Sequence, residues 1–332
     1  MCIWFELLGL YNSIKTDGHP RCIKNGGLYM RISGAVPVLV TPFKDSGKVD
    51  EGSLLRQLDF CIEAGSQALV FGWGSESHLL TDAELEDLWS ATVRHVNGKV
   101  PVVAATSHAS REGVIARTKL AKWCGVDCAM VNPEGRKGDQ LVALFRDLSD
   151  QVNMELMIQD AQGNASADVL LQAVQEAQNV NSLKLESPGA PHKMGLVKDG
   201  LSAVSGERDV TVLGGSNGGL LLEELDRGAV GTLPHPAIID AFRAVCDLYA
   251  AGNLKDASDV YYQKILPLNR LTAAGGAAGG GIWLHKTIFQ RAGILRSNYC
   301  RVGASPQPDW VMDRVWAHLS ENDLAISKQI GA

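Results

Sequence analysis

From Ala35 onward the chain alternates short apolar runs with amphipathic segments, and that alternation restricts the possible folds more than any other feature. The first run is Ala35 to Thr41, after which Leu54, Leu55, Leu58, Cys61 and Ile62 follow at helical spacing. Ala68 to Gly72 is the second run. Thr81-Asp-Ala-Glu84 then has the form of a capping box, with Leu85, Leu88 and Trp89 as the buried stripe behind it. Val100 to Ala105 is the third run, and Ser110 caps the helix after it. Cys128 to Asn132, Leu156 to Gln159, Ser182 to Leu185, Val210 to Leu213 and Val230 to Leu233 supply five more. Eight strands separated by helices, in roughly 200 residues, predict an α/β fold of the (β/α)₈ TIM-barrel type. A doubly wound sheet usually carries a phosphate-binding glycine fingerprint at its first turn. Here that turn reads Thr41-Pro-Phe-Lys-Asp-Ser-Gly47, without one.

The flanks read differently. After the eighth run the pattern stays helical over Pro236 to Ala250, Leu254 to Arg270, Ile282 to Ala292 and Trp310 to Leu319. This predicts a barrel over 30–235 and a C-terminal helical domain over 236–332. The stretch from Ala273 to Gly281 is too glycine-rich for a stable helix unless packing against another chain holds it. Met1 to Tyr11 is apolar but short, is interrupted by Glu6 and lacks a basic leader, a poor match to a signal peptide. Residues 1–29 are therefore expected to form a poorly ordered extension, with Met30 as an alternative start. No later segment has the apolar length needed to span a membrane.

Charge and cysteine usage exclude several classes. A formal net charge of −6, with no lysine or arginine run, argues against a nucleic-acid partner. Among the seven cysteines only Cys124 and Cys128 lie close together, and no second pair completes a zinc site. The histidines show no metal-ligand spacing either. These features predict a cytoplasmic protein with reduced thiols and no metal.

Lys184 carries the chemistry. It lies in the run Asn181-Ser-Leu-Lys-Leu-Glu-Ser187, where period-2 spacing puts Leu183 and Leu185 on one face and the lysine on the other. A lysine turned into a protein interior loses hydration, which lowers its pKa, and a neutral amine can attack a ketone. A strand lysine that snorkels to water is the commoner case. Further polar stations on the same rim weigh against that here: Gly72-Trp-Gly-Ser-Glu76, Gln159-Asp160, Glu186 and Gly214-Gly-Ser-Asn-Gly-Gly219. The last does not fit a dinucleotide fingerprint, but it leaves backbone N–H groups free at a helix start, suited to a carboxylate or phosphate.

At these positions the chain resembles the dihydrodipicolinate synthase/N-acetylneuraminate lyase family. The resemblance rests on Gly34-Ala-Val-Pro-Val-Leu-Val-Thr-Pro-Phe43, on Gly72 to Glu76 before Leu80-Thr-Asp-Ala-Glu84, on Lys184, and on Arg227-Gly-Ala-Val-Gly-Thr232. It implies a TIM barrel with a helical C-terminal domain, often a homotetramer or otherwise a dimer, acting on 2-oxo acids. It also implies that Lys184 forms the imine, so that no cofactor is needed. Three departures stand out. Gln159 replaces the usual tyrosine after strand five, Trp73 and Gly74 replace two threonines, and Asn132-Pro-Glu-Gly135 lacks a tyrosine after strand four. The L-2-keto-3-deoxyarabonate dehydratase branch has similar segments at Gln159-Asp160-Ala161, Ser75-Glu76 and Thr106-Ser-His108-Ala-Ser110.

In such a dehydration Lys184 attacks the C2 ketone of a 2-oxo-3-deoxy sugar acid, and the protonated imine acidifies the C3 hydrogens. A base takes one of them, and the enamine then expels the C4 hydroxyl as water. An aldolase would instead deprotonate that hydroxyl, a task that suits a tyrosine relay. Lys184 and Gln159 are thus the candidate catalytic residues, Gln159 orienting substrate or water. Gly74, Ser75, Gly215, Ser216 and His108 are candidates for holding the substrate. Glu76 reads equally as a helix cap, and His108 as a satisfied loop histidine. An aldolase or synthase of the same family, and a non-catalytic paralogue that binds 2-oxo acids, are the alternatives.

Overall fold

The computed structural model describes residues 21–24 and 27–331. The chain divides into two compact units, Met1–Arg31 and Ile32–Ala332. In the first, β1 (Arg21–Lys24) pairs with β2 (Gly27–Met30) as an antiparallel hairpin in the register Arg21 to Met30. The rest of the expected 1–29 extension lies outside the described residues.

In the second unit the eight expected runs become β3 (Gly34–Ala35), β4 (Leu69–Phe71), β5 (Val102–Ala105), β6 (Cys128–Val131), β7 (Glu155–Asp160), β8 (Val180–Leu185), β9 (Thr211–Leu213) and β10 (Gly231–Thr232). β4 to β9 form one parallel sheet in chain order, and β10 pairs in parallel with β3. Parallel bridges from Val38 to Val70 and from Gly214 to Thr232 join these two sheets on both sides, closing the barrel. β3 is short because Pro37 has no N–H to give the ladder. The next N–H, of Val38, crosses instead to the Pro234 carbonyl at 2.7 Å. Where β10 crosses β3 only glycine fits: a Cβ at Gly231 would lie 2.2 Å from the Gly34 carbonyl oxygen.

Side-chain alternation divides the core. Val36, Val38, Val70, Val103, Met130, Met157, Leu213 and Leu233 belong to one apolar cluster inside the ring. The opposite parity, including Leu156, Ile158, Leu183 and Leu185, packs beneath the surrounding helices. The Thr81 capping box forms as the sequence predicts: Glu84 N–H donates to Thr81 Oγ1 at 3.2 Å, and Thr81 N–H to Glu84 Oε2 at 3.0 Å.

The C-terminal segment departs from expectation in two places. The helix expected from Leu254 to Arg270 runs as Leu254–Val260, a π turn over Tyr261–Ile265, and Leu266–Ala274. Pro267 cannot donate to the i−4 carbonyl, and the wider turn lets the chain pass it without a break. The glycine-rich stretch interrupts the helices over 275–279, as its composition predicts. Its ends belong to the helices ending at Ala274 and starting at Gly280, and Gln307 of the same chain fills the space that side chains at Gly275 and Gly280 would take. A last helix, Ala325–Ile330, was not expected. Among the described residues no helix is long and apolar enough to cross a membrane.

Candidate active site

The carboxyl ends of the strands open into a cavity of about 930 Å³, with Lys184 in its wall. Parity places the lysine there: with Leu183 and Leu185 turned outward, the side chain between them points into the barrel. It is 5% exposed, so its amine needs a partner. That partner is Glu186, two residues on and therefore on the same face, with Oε1 2.8 Å from the lysine Nζ. Gln159 lies opposite Lys184 in the β7–β8 register and donates from Nε2 to the same Glu186 oxygen at 2.6 Å. Ser216 N–H donates to the other carboxylate oxygen at 2.9 Å. Burial pushes the Glu186 carboxyl up, but the Lys184 ammonium, the Gln159 amide and the Ser216 N–H outweigh it, and its pKa lies below the usual value. Glu186 is thus an ionised carboxylate in contact with the amine, and any proton leaving Lys184 has an acceptor beside it.

The second-strand loop forms another wall. Gly72 to Leu79 runs as two short 3₁₀ turns joined at Glu76, whose φ of 58° is left-handed. Gly74 lines the cavity as expected, but Ser75 does not. The Ser75 hydroxyl is fully buried and accepts the Gly72 N–H at 2.9 Å, closing its own turn. Ser77 reaches the cavity instead, with a buried hydroxyl that has no protein partner. Trp73 and His78 also line the cavity and stack on each other with ring centres 4.6 Å apart. Glu76 turns away and pairs with Lys286 where both side chains are completely buried, and it also accepts the Val302 N–H at 2.8 Å. It is neither a ligand nor a helix cap. It ties the loop to the C-terminal helices.

The seventh-strand loop is held from the same side. Asn217 accepts the His235 N–H at 2.7 Å, and its carbonyl accepts from Asn269 Nδ2 at 2.9 Å. Ser216 lines the cavity, but Gly215 lies behind the wall, where a Cβ would fall 2.3 Å from Glu186 Oε2. His108 is not in the wall either. Its Nδ1 takes the Ser110 N–H at 3.1 Å beside the start of the next helix, a local loop contact. Asp160 faces away from Gln159, as alternation requires, and pairs with Lys193 at 2.5 Å. Four of the six non-glycine residues with positive φ among those described lie in these rim loops: Glu76, Glu134, Ser216 and Asn217. Strained backbone of this kind concentrates at functional sites. The other two, Asn97 and Asn153, end helices.

Several lining residues went unpredicted. Glu186 was legible from its spacing, since Lys-x-Glu on a strand shares a face. His235, Arg117 and Asn132 had no comparable signal, because they come from separate loops. Burial, and then the charge of Lys184, push the His235 pKa down to about 4, so the ring is neutral at physiological pH. Among the described residues no tyrosine lines the cavity and no cluster of three metal-binding side chains occurs.

The closed barrel, the cavity at the carboxyl ends of its strands and the helices that brace its rim define a (β/α)₈-barrel enzyme with an appended helical segment. Residues 31–320 match the dihydrodipicolinate synthetase family, and the chain belongs to it. It is 31% identical over 294 residues to an L-2-keto-3-deoxyarabonate dehydratase of Azospirillum brasilense, covering 84% of this chain and 90% of that one. It is 32% identical over 251 residues to a 4-hydroxy-tetrahydrodipicolinate synthase of a Psychrobacter strain, covering 73% and 80%. The structure resembles the dihydrodipicolinate synthase of Rhodopseudomonas palustris with a TM-score of 0.78 at 24% identity, covering 88% of this chain and 98% of that one. That last likeness speaks for the fold alone. Family members are lyases acting on pyruvate-type substrates, and they include both dehydrating and condensing enzymes.

Proposed function

We propose that this chain is a hydro-lyase that dehydrates a 2-oxo-3-deoxy sugar acid, such as L-2-keto-3-deoxyarabonate, through an imine on Lys184. The observation that carries the reading is the Lys184–Glu186–Gln159 contact set. Glu186 first takes the ammonium proton, freeing the amine to attack C2, and returns it to the carbinolamine hydroxyl, which leaves as water and restores the carboxylate. In the resulting imine C3 is two bonds from the nitrogen, so a carboxylate in contact with that nitrogen is also within reach of the C3 hydrogens. Glu186 is therefore the base, and Gln159 and the Ser216 N–H aim it. The C3 proton that Glu186 takes passes to the C4 hydroxyl, which leaves the enamine as water, and hydrolysis of the imine then frees Lys184. The imine supplies the electron sink, so the reaction needs no metal or organic cofactor. In this reading Gly74 and Ser77, which line the cavity at the second-strand loop, hold the substrate carboxylate. Ser77 takes the role expected of Ser75.

The alternative, carbon–carbon cleavage or condensation, is favoured by the synthase relative at similar identity. Product analysis separates the two. A 2-oxo-3-deoxypentonate should yield a semialdehyde or dioxo acid without pyruvate, and Gln159→Tyr should not improve turnover. Pyruvate released as fast as substrate disappears, followed by coupling to lactate dehydrogenase, would overturn dehydration in favour of the aldolase.

Glu186→Gln gives an independent check on the base. Borohydride should still trap some imine at Lys184, because the amine remains, while turnover drops by about 10²–10⁴-fold. Full turnover in that variant would remove Glu186 from the role.

A further inference from the structure

Behind the cavity wall lies a second carboxyl that the mechanism above does not use. Glu224, in the helix Leu221–Asp226, is 2% exposed, and its Oε2 has no hydrogen-bond partner. Two consecutive glycines separate it from Glu186. A Cβ at Gly214 would lie 1.8 Å from Glu224 Oε2, and one at Gly215 would lie 2.3 Å from Glu186 Oε2. Successive peptide groups of this loop serve the two acids in turn. The Gly215 N–H goes to Glu224, and the Ser216 N–H goes to Glu186 at 2.9 Å. Only bare backbone fits between them.

The charged groups around Glu224 come from several elements. Glu186 and Glu223 oppose its ionisation, while Lys184 favours it. Tyr261, from the π turn, also senses Glu224, and its hydroxyl donates to the Gly219 carbonyl at 2.7 Å. Burial, and then the Glu186 charge, raise the Glu224 pKa to about 8, against an offset from the Gly215 N–H.

We infer that Glu224 is a positioning residue that acts through Glu186: held as the neutral acid behind the Gly214–Gly215 backbone, it adds no negative charge to those of Glu186 and Glu134, which face Lys184 and Arg117 in the cavity wall, and so permits an anionic 2-oxo acid to bind. Once it ionises, a further negative charge opposes both Glu186 and the incoming substrate carboxylate. Affinity for the anion then falls, whereas the chemistry on bound substrate is less affected. Rising pH should therefore act on half-saturation more than on the maximal rate.

This inference rests on the imine reading, and pyruvate with borohydride probes the two separately. In the wild-type protein the pyruvate concentration giving half-maximal trapping at Lys184 should rise about tenfold between pH 7 and pH 9. In Glu224→Gln, which keeps an acceptor for the Gly215 N–H but cannot ionise, that rise should largely disappear. Infrared difference spectra should show a protonated carboxyl band in the wild type at pH 7 that is lost by pH 9 and absent from the variant. An equal rise in both proteins, or a flat wild-type profile, overturns the inference while leaving the imine intact. Should Glu224→Gln fail to fold, the wild-type profile and its carboxyl band decide. If pyruvate labels nothing at any pH, the imine reading falls, and the band alone tells whether Glu224 is the neutral acid.

Discussion

Lys184→Ala should abolish borohydride trapping of pyruvate and lower turnover by about 10⁴-fold or more, since removing a nucleophile removes the covalent route itself. The substitution deletes the cation but leaves Glu186 two donors, Gln159 Nε2 and the Ser216 N–H. The carboxyl also loses a partner that holds its pKa down, so it moves toward the neutral acid, a milder burden in a buried site. The barrel should therefore fold. Lys184→Arg separates charge from nucleophilicity: a guanidinium can face Glu186 but cannot form the imine. Intact mass and peptide mapping should show no adduct in either variant. Two other lysines are committed elsewhere, the half-buried Lys193 to Asp160 and the fully buried Lys286 to Glu76. Label on Lys193 or Lys286 in wild-type protein, or retained trapping in Lys184→Arg, would sink the assignment.

A second large effect is expected far from the reacting atoms. The Lys286 amine sits with the Glu76 carboxylate where both side chains are fully buried, donates to the Tyr299 carbonyl at 2.8 Å, and lies 4.5 Å from the centre of the Phe43 ring. Burial lowers the Lys286 pKa, and Glu76 only partly offsets this. Replacing Lys286 by Met leaves Glu76 as an uncompensated buried charge, a loss of about 3–5 kcal/mol. On a chain of this size that corresponds to a fall in Tm of roughly 5–10 °C. Combining Lys286→Met with Glu76→Gln should recover much of the loss, because a neutral amide is cheaper to bury than a lone carboxylate. The cavity should register the change too. Glu76 joins the two turns that carry Gly74 and Ser77, so Lys286→Met should raise KM more than it lowers kcat. Thermal unfolding within a degree or two of wild type would show that the pair does not hold the loop.

Much of the site is legible in the sequence. Strand alternation is local, so Lys184 between Leu183 and Leu185 was bound to face away from the leucine-lined layer. The same parity places Glu186 beside the lysine and turns Asp160 away from Gln159. Eight such strands with helices between them left few ways to bury their apolar faces, which is why a closed barrel was legible. Loop side chains obey no comparable period. Ser75 and Ser77 look alike in sequence, and only the paired 3₁₀ turns, with Glu76 left-handed between them, fold the Ser75 hydroxyl onto its own turn and set Ser77 in the cavity lining. His108 reads as a ligand until Ser110 is seen to occupy its ring nitrogen.

Long-range pairing was the least legible. Lys286 lies 210 residues from Glu76, and Asn269 lies 52 residues from Asn217. No periodicity in a single chain connects such positions. Local sequence determined which faces were apolar, where strands and helices ran, and which way Lys184 pointed, because those follow from backbone geometry and side-chain alternation. Packing of the C-terminal helices against the rim decided how Glu76 and Asn217 hold the loops. The ring closure that sets Gly214 and Gly215 between two carboxyls decided the charge beside the lysine, since buried charge takes its energy from whatever the fold brings next to it.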